Sequence, residues 1–185
     1  MSGYIRWFSE LGMEDVAEVG GKNASLGEMY RNLSSEGIRI PNGFAVTAGA
    51  YEAVLAANGA WQALEDALHP LDPEDVNQLQ RVGKACRKIV KACTIPPEIE
   101  EEIREGYASL KEQYGEEVSF AVRSSATAED SPEASFAGQN ETFLNIQTYD
   151  ELIEAYRKCL ASNFTDRSIH YKYLHGFEYL KVSLS

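Results

Sequence analysis

Positive charge is scarce in this chain. Its 17 lysines and arginines face 29 aspartates and glutamates, for a net charge of −12 over 185 residues. Phosphate backbones and anionic bilayers call for a basic surface, so a nucleic-acid or membrane-surface binder fits poorly. Long hydrophobic runs are missing too, and no stretch approaches the length of a bilayer span. The opening "MSGYIRWFSE" has no basic region ahead of an apolar one, which argues against a secretion signal. Cysteine is sparse: Cys86, Cys93 and Cys159. An odd, widely spaced set speaks against a disulfide framework and for reduced thiols in a cytoplasmic protein. No internal repeat or low-complexity segment is visible.

What is present suits a globular domain. Hydrophobic residues make up 44% and charged residues 25%, ordinary proportions for a packed fold. At this length about two thirds of the unfolded surface can be buried without metals or disulfides. The pattern predicts a strand near residues 5–8, a helix over 23–33 and a strand over 43–47. Thr47 then caps a helix carrying Tyr51, Val54 and Leu55. Residues 61–114 read as mostly helical with breaks at prolines. Val76, Leu79, Val82, Cys86, Ile89 and Cys93 recur at steps of three and four, an apolar stripe. Pro96 and Pro97 break that helix and start the next, whose buried face is Ile99, Ile103, Tyr107, Leu110 and Tyr114. "VSFAVR" and "ETFLNI" alternate as strands, the second with Thr142, Leu144 and Ile146 on one face. Two helices follow, over 150–162 and, after a Thr165 cap, over 165–175. The closing "LKVSLS" reads as the start of a strand. Helices and strands mix without regular alternation, which favours an α+β fold.

Two stretches stand apart from this scaffold. In "VGGKNASLGEM" two glycines precede a lysine and a helix start. Helix N-terminal N–H groups plus one ammonium suit a phosphate. It is not a P-loop, which would need glycine where Val16 stands and Ser or Thr where Asn23 stands. The blander alternative is a glycine turn with Asn23 as helix cap and Lys22 in solvent. The second stretch is "FAVRSSATAEDSPEASFAG". Arg123 ends a strand, where a guanidinium can be held rigidly and offer phosphate a planar fork. Ser124, Ser125 and Thr127 add short donors, and the alanines leave room for close approach. A loop of this length between regular strands points to function; the alternative is a surface loop with Arg123 in a structural ion pair. A loop of such small residues, over 124–138, is expected to be a mobile lid. Two phosphate-like sites in one acidic chain suggest a nucleoside triphosphate accompanied by Mg²⁺.

"GGKNASLGEM", "IPNGFAVTAGAY", "FAVRSSATAEDSPEASFAGQNETFLNI" and the closing "FTDR" closely resemble the amino-terminal segment of the phosphoenolpyruvate synthase family. Pyruvate phosphate dikinase and rifampin phosphotransferase are wider relatives. The resemblance covers essentially the whole chain. It implies the amino-terminal portion of an ATP-grasp nucleotide-binding domain over residues 1–185, with a helical region at 60–114. It implies ATP contacts from Lys22, Arg123, Gly138 and Thr142. Ser124, Ser125, Thr127 and Gln139 are candidate phosphate-loop contacts. The family reaction converts ATP, pyruvate and water to phosphoenolpyruvate, AMP and phosphate through a phosphohistidine on a swivelling domain.

A family ATP-grasp domain is longer than this chain. The Mg²⁺ ligands are therefore expected in the rest of that domain, and the carrier histidine and the pyruvate-binding barrel in other domains of the same polypeptide. His69, His170 and His175 match no phosphohistidine motif of the family, so no catalytic or metal-ligating residue is assigned within the chain. A rifampin-type phosphotransferase and a stand-alone nucleotide-binding module without turnover are the alternatives.

Overall fold

The computed structural model describes residues 3–34, 36–128 and 141–185, and the backbone of 130–131 and 134–135. Strand β1 (Ile5–Trp7) leads through short 3-10 turns into α1 (Val16–Ser34). Strand β2 (Phe44–Val46) pairs antiparallel with β1, placing Ile5 opposite Val46. Four helices follow: α2 (Ala48–Ala57), α3 (Ala60–Leu68), α4 (Val76–Ala92) and α5 (Pro97–Tyr114). Next come β3 (Phe120–Arg123), the small hairpin of β4 (Asp130–Ser131) and β5 (Ala134–Ser135), and β6 (Thr142–Ile146). Helices α6 (Tyr149–Ser162) and α7 (Asp166–Leu174) complete the order. Small antiparallel sheets on a largely helical body make this an α+β structure.

The helix limits follow from local chemistry. The Thr47 side chain accepts from Ala50 N–H, and Asp75 accepts from the N–H groups of Asn77 and Gln78. Thr148 and Glu151 form a reciprocal capping box, and Thr165 accepts from Ser168 N–H. Each satisfies donors that a helix start leaves open. Pro97 opens α5 as its fixed φ favours. Glu100 and Arg104 pair at 2.9 Å on the outer face of α5.

The main core runs through α2, α3, α4, α5, α6 and α7, with Tyr51, Leu64, Cys86, Ile99, Ile103 and Phe164 essentially inaccessible. Leu11, Val19, Ala24 and Ala45 form a smaller core that seats α1 on β2. Some predicted faces are redrawn. Val76 begins the α4 stripe in sequence but is 62% exposed, because it lies in the first turn, ahead of the packed part of the helix. Tyr114, at the end of α5, is 45% exposed and gives its hydroxyl as acceptor to Asn42 N–H. In β6, Leu144 faces solvent while Phe143 and Ile146 are half-buried. The cause is a bulge: Phe120 pairs with Ile146 but Val122 pairs with Phe143, and Asn145 takes the extra position at φ 59°. Asparagine tolerates that left-handed conformation, and one inserted residue reverses the alternation beyond it.

The segment "FTDR" is built into the scaffold at the turn between α6 and α7. Phe164 is fully buried, Thr165 caps α7, and Asp166 pairs with Arg87 at 2.9 Å. Just before it, Asn163 joins three parts of the chain: its Nδ2 donates to Tyr51 Oη at 2.9 Å and to the Val182 carbonyl at 2.8 Å. Its carbonyl and Oδ1 both accept from the buried Lys172 ammonium. This knot holds the tail 182–185 against the body, and the tail reaches the site described next.

Candidate functional site

The two unusual stretches meet. Within α1 the backbone leaves helical geometry at Gly20, with φ 73° and ψ 161°, and a helix restarts at Gly21. The Gly20 Cα lies against the strand that continues β3. A Cβ there would overlap Ser125 Oγ and come within 2.9 Å of the Ala126 carbonyl oxygen. Glycine is therefore required twice, for its positive φ and for the close approach. The restarted helix presents its first N–H groups beside this contact, and those groups lack intrahelical acceptors. Lys22 projects from that first turn and is half-buried.

Gly20→Ala is expected to destabilise the domain by about 3 kcal/mol, from the left-handed backbone and the overlap together. Chemical denaturation of the two proteins checks it; a loss below about 1 kcal/mol would show that the contact yields easily.

Asn23 is not the helix cap that one sequence reading gives it. It sits inside the restarted helix, 5% exposed, because helix already surrounds it on both sides. Its Nδ2 donates to the Val19 carbonyl across the Gly20 break and to Ser185 Oγ, both at 3.0 Å. Ser185 in turn exchanges two backbone hydrogen bonds of 2.8 Å with Ser125. Thr127 N–H donates to the Ser183 carbonyl at 3.1 Å, and Ala126 bridges Leu184 antiparallel. Residues 183–185 are thus a short strand on the extension of β3, as the sequence "LKVSLS" predicts.

These pairings revise the expected lid at its near end. Ser124 and Ser125 are fully buried and hydrogen-bonded to neighbouring chain, so the segment up to Thr127 is scaffold. Ser124 Oγ accepts from Glu141 N–H at 3.1 Å. Ser125 Oγ is buried with no hydrogen-bond partner among the described residues. Thr127 Oγ1 donates to the Ser183 carbonyl at 3.2 Å. Arg123, at the end of β3, is exposed and makes no ion pair among the described residues. Its register partner across the ladder is Thr142, so the structure brings those two candidates together. Gly138 and Gln139 lie outside the described residues.

A cleft of about 970 Å³ opens beside β3. Asn23, Arg123 and Ser185 line it, while Lys22 and Thr142 do not. Its walls are otherwise mainly apolar, drawn from β2, α5, β3 and α6. Burial pushes the thiol of Cys159, another lining residue, up to about 12, so it is an inert thiol rather than a nucleophile. His69 ends α3, His170 contacts the Pro73 carbonyl at 3.2 Å, and His175 packs on the Tyr171 ring, all away from this region. Among the described residues no cluster of His, Cys, Asp or Glu could hold a metal ion. No helix among them is long and apolar enough to cross a membrane.

Residues 16–185 match the family described as pyruvate phosphate dikinase, AMP/ATP-binding domain. Phosphoenolpyruvate synthases of Escherichia coli (strain K12) and Neisseria meningitidis serogroup B are each 49% identical to the chain, over 181 and 183 residues. Both alignments cover 98% of this chain and 23% of the relative. A probable phosphoenolpyruvate synthase of Methanocaldococcus jannaschii is 42% identical over 183 residues, 15% of its own length. The chain thus spans less than a quarter of the curated relatives it matches.

Proposed function

The chain belongs to the family of pyruvate phosphate dikinase AMP/ATP-binding domains, and from that premise we propose that it is the amino-terminal part of an ATP-grasp domain in an enzyme of the phosphoenolpyruvate synthase type. In that reading residues 1–185 form part of the nucleotide-binding unit. The phosphohistidine and pyruvate-binding domains lie elsewhere in a longer cytoplasmic polypeptide. The reaction is the one its relatives' name implies: ATP, pyruvate and water give phosphoenolpyruvate, AMP and phosphate.

The observation that carries the nucleotide reading is the seating of Gly20 on Ser125. It joins the stretch that carries Lys22 to the stretch that carries Arg123. One contributes a point charge and N–H dipoles, the other a planar fork, and both suit a polyphosphate. Thr142, across the ladder from Arg123, adds a hydroxyl at the same place; Gly138 and Gln139 join them in the proposal. Ser124, Ser125 and Thr127 chiefly hold this junction together, and of the three only the Ser125 hydroxyl has no hydrogen-bond partner among the described residues. Mg²⁺ accompanies ATP in this reading. Among the described residues no cluster of His, Cys, Asp or Glu supplies its ligand set.

The test uses the chain as it stands. Incubated with ATP, Mg²⁺ and pyruvate, the 185-residue protein is expected to fold but release no AMP above background, because the carrier histidine and acceptor site are elsewhere. The polypeptide of the relatives' length is expected to release AMP in a pyruvate-dependent way. Pyruvate-dependent AMP release by the 185-residue chain would overturn the partial-domain reading.

A further inference from the structure

We propose that a basic stripe on α4 docks on the acidic stripe of α5 in a second copy of this chain. In a chain so poor in positive charge, α4 carries five of the 17 lysines and arginines and no aspartate or glutamate. Arg81, Lys84, Lys88 and Lys91 are all exposed. Their steps of three, four and three put them on one side of the helix, along about 15 Å. On α5, Glu98, Glu101 and Glu105 repeat the steps of three and four, and Glu112 follows one heptad later. These four are exposed as well.

The other cations of the two helices are engaged inside the molecule. Arg87 pairs with Asp166, Arg104 with Glu100 and Lys111 with Glu116, each at 2.9 Å. Glu102 accepts from Ile5 N–H at 3.0 Å. The stripe residues make no ion pair among the described residues; Arg81 only senses the charge of the Asp75 cap. Like charges three and four apart on one helix repel. Each stripe thus holds a repulsion that its own molecule does not relieve, although α4 and α5 are consecutive. A helix of opposite charge and matching steps relieves both at once, and a second copy carries that helix. Ala85 and Ala108, small and exposed beside the charges, let the two helices approach. The net charge of −12 opposes association at long range. At about 0.1 M salt the screening length is about 10 Å, so distant charge is largely hidden while charges in contact still attract. Single surface pairs are weak, so the contact is reversible and sensitive to salt. It does not depend on the nucleotide reading.

Sedimentation equilibrium of the 185-residue chain, at protein concentrations up to about 1 mM, tests the contact. A mass above the monomer's is expected at about 0.1 M salt, with association at least about tenfold weaker at about 1 M, where screening reaches down to about 3 Å. Lys84→Glu with Lys88→Glu sets acid against acid. Glu101→Lys with Glu105→Lys sets base against base. Each double variant alone is expected to stay monomeric, with a Tm near that of the unaltered chain because the positions are exposed. Mixed in equal amounts, the two are expected to associate again, since each then meets a stripe of opposite sign. A monomer at every concentration in 0.1 M salt would overturn the proposal. So would association that either double variant keeps alone, or a mixture that stays monomeric.

Discussion

Arg123→Lys, in the polypeptide of the relatives' length, lowers pyruvate-dependent turnover by at least about 100-fold, the scale of losing one preorganised group that stabilises charge in a transition state. The expectation follows from position and shape. Arg123 ends a strand whose neighbours Ser124 and Ser125 are fully buried, so its Cα is rigidly held. An ammonium keeps the charge but loses the fork, so charge alone does not restore function. Lys22→Ala removes a point charge and weakens ATP binding by about 1.5–3 kcal/mol, the range for a hydrogen bond to a charged group. Neither side chain belongs to an apolar core, so melting temperatures stay near that of the unaltered protein. ATP affinity and turnover for each variant, with Tm as control, check the pair. Near-normal turnover in both would return the two stretches to scaffold.

The largest stability effect is expected at Lys172. It is fully buried, makes no ion pair among the described residues, and lies over the Phe164 ring at 5.2 Å. Its three hydrogen bonds go to Asn163 Oδ1 at 2.6 Å, the Asn163 carbonyl at 3.0 Å and the Tyr179 carbonyl at 3.2 Å. Lys172→Met takes the donor from Asn163 Oδ1 and the Tyr179 carbonyl, leaves the Asn163 carbonyl with Ser168 Oγ alone at 3.0 Å, and loosens Asn163, which also grips Val182. A loss of about 3 kcal/mol is expected, the lower end for removing one member of a buried charged arrangement. Burial pushes the Lys172 ammonium down to about 7. The three acceptors match the three donors of the charged form and oppose that shift. The sign is definite. An unfolded lysine keeps its proton to about pH 10.4, so between neutral pH and that value the unfolded state binds more protons and folding gains with pH. The stability gap between the unaltered protein and Lys172→Met should therefore widen from pH 7 to pH 10. Urea unfolding of both across that range measures it; a gap that narrows would reverse the assignment.

Much of the fold was legible because it is local. Thr47, Asp75, Thr148 and Thr165 stand at helix starts, and Pro97 opens α5. Apolar spacing gave the α4 stripe apart from Val76. What escaped depends on distant chain. Asn145 looks like one more residue of an alternating strand, and only its pairing with β3 reveals the bulge. Asn23 has the composition of a cap, but its acceptor Ser185 Oγ lies 162 positions away. Lys172 sits in a polar helix, and no period in the sequence marks it as the buried member. At the site, residue types alone suggested Lys22 and Arg123 as phosphate ligands. They could not say that Gly20 touches Ser125, which joins the two stretches into one place.

That junction has a consequence in time. It gathers three remote points of the chain: the turn at Gly20, the strand at Ser125 and the tail at Ser185. Contacts of such long sequence separation carry a large loop-closure cost and slow folding, whereas helices such as α4 and α5 need only near neighbours. On the ribosome the helical body can assemble while the polypeptide is still growing. The partner strand for Ser125 does not exist until the codon for Ser185 has been read and the tail has cleared the exit tunnel. Until then the two stretches that meet at Gly20 lack the clasp that Asn23 and Ser125 make through Ser185. Within residues 1–185 the junction is thus among the last parts to close, however early its first residues are made.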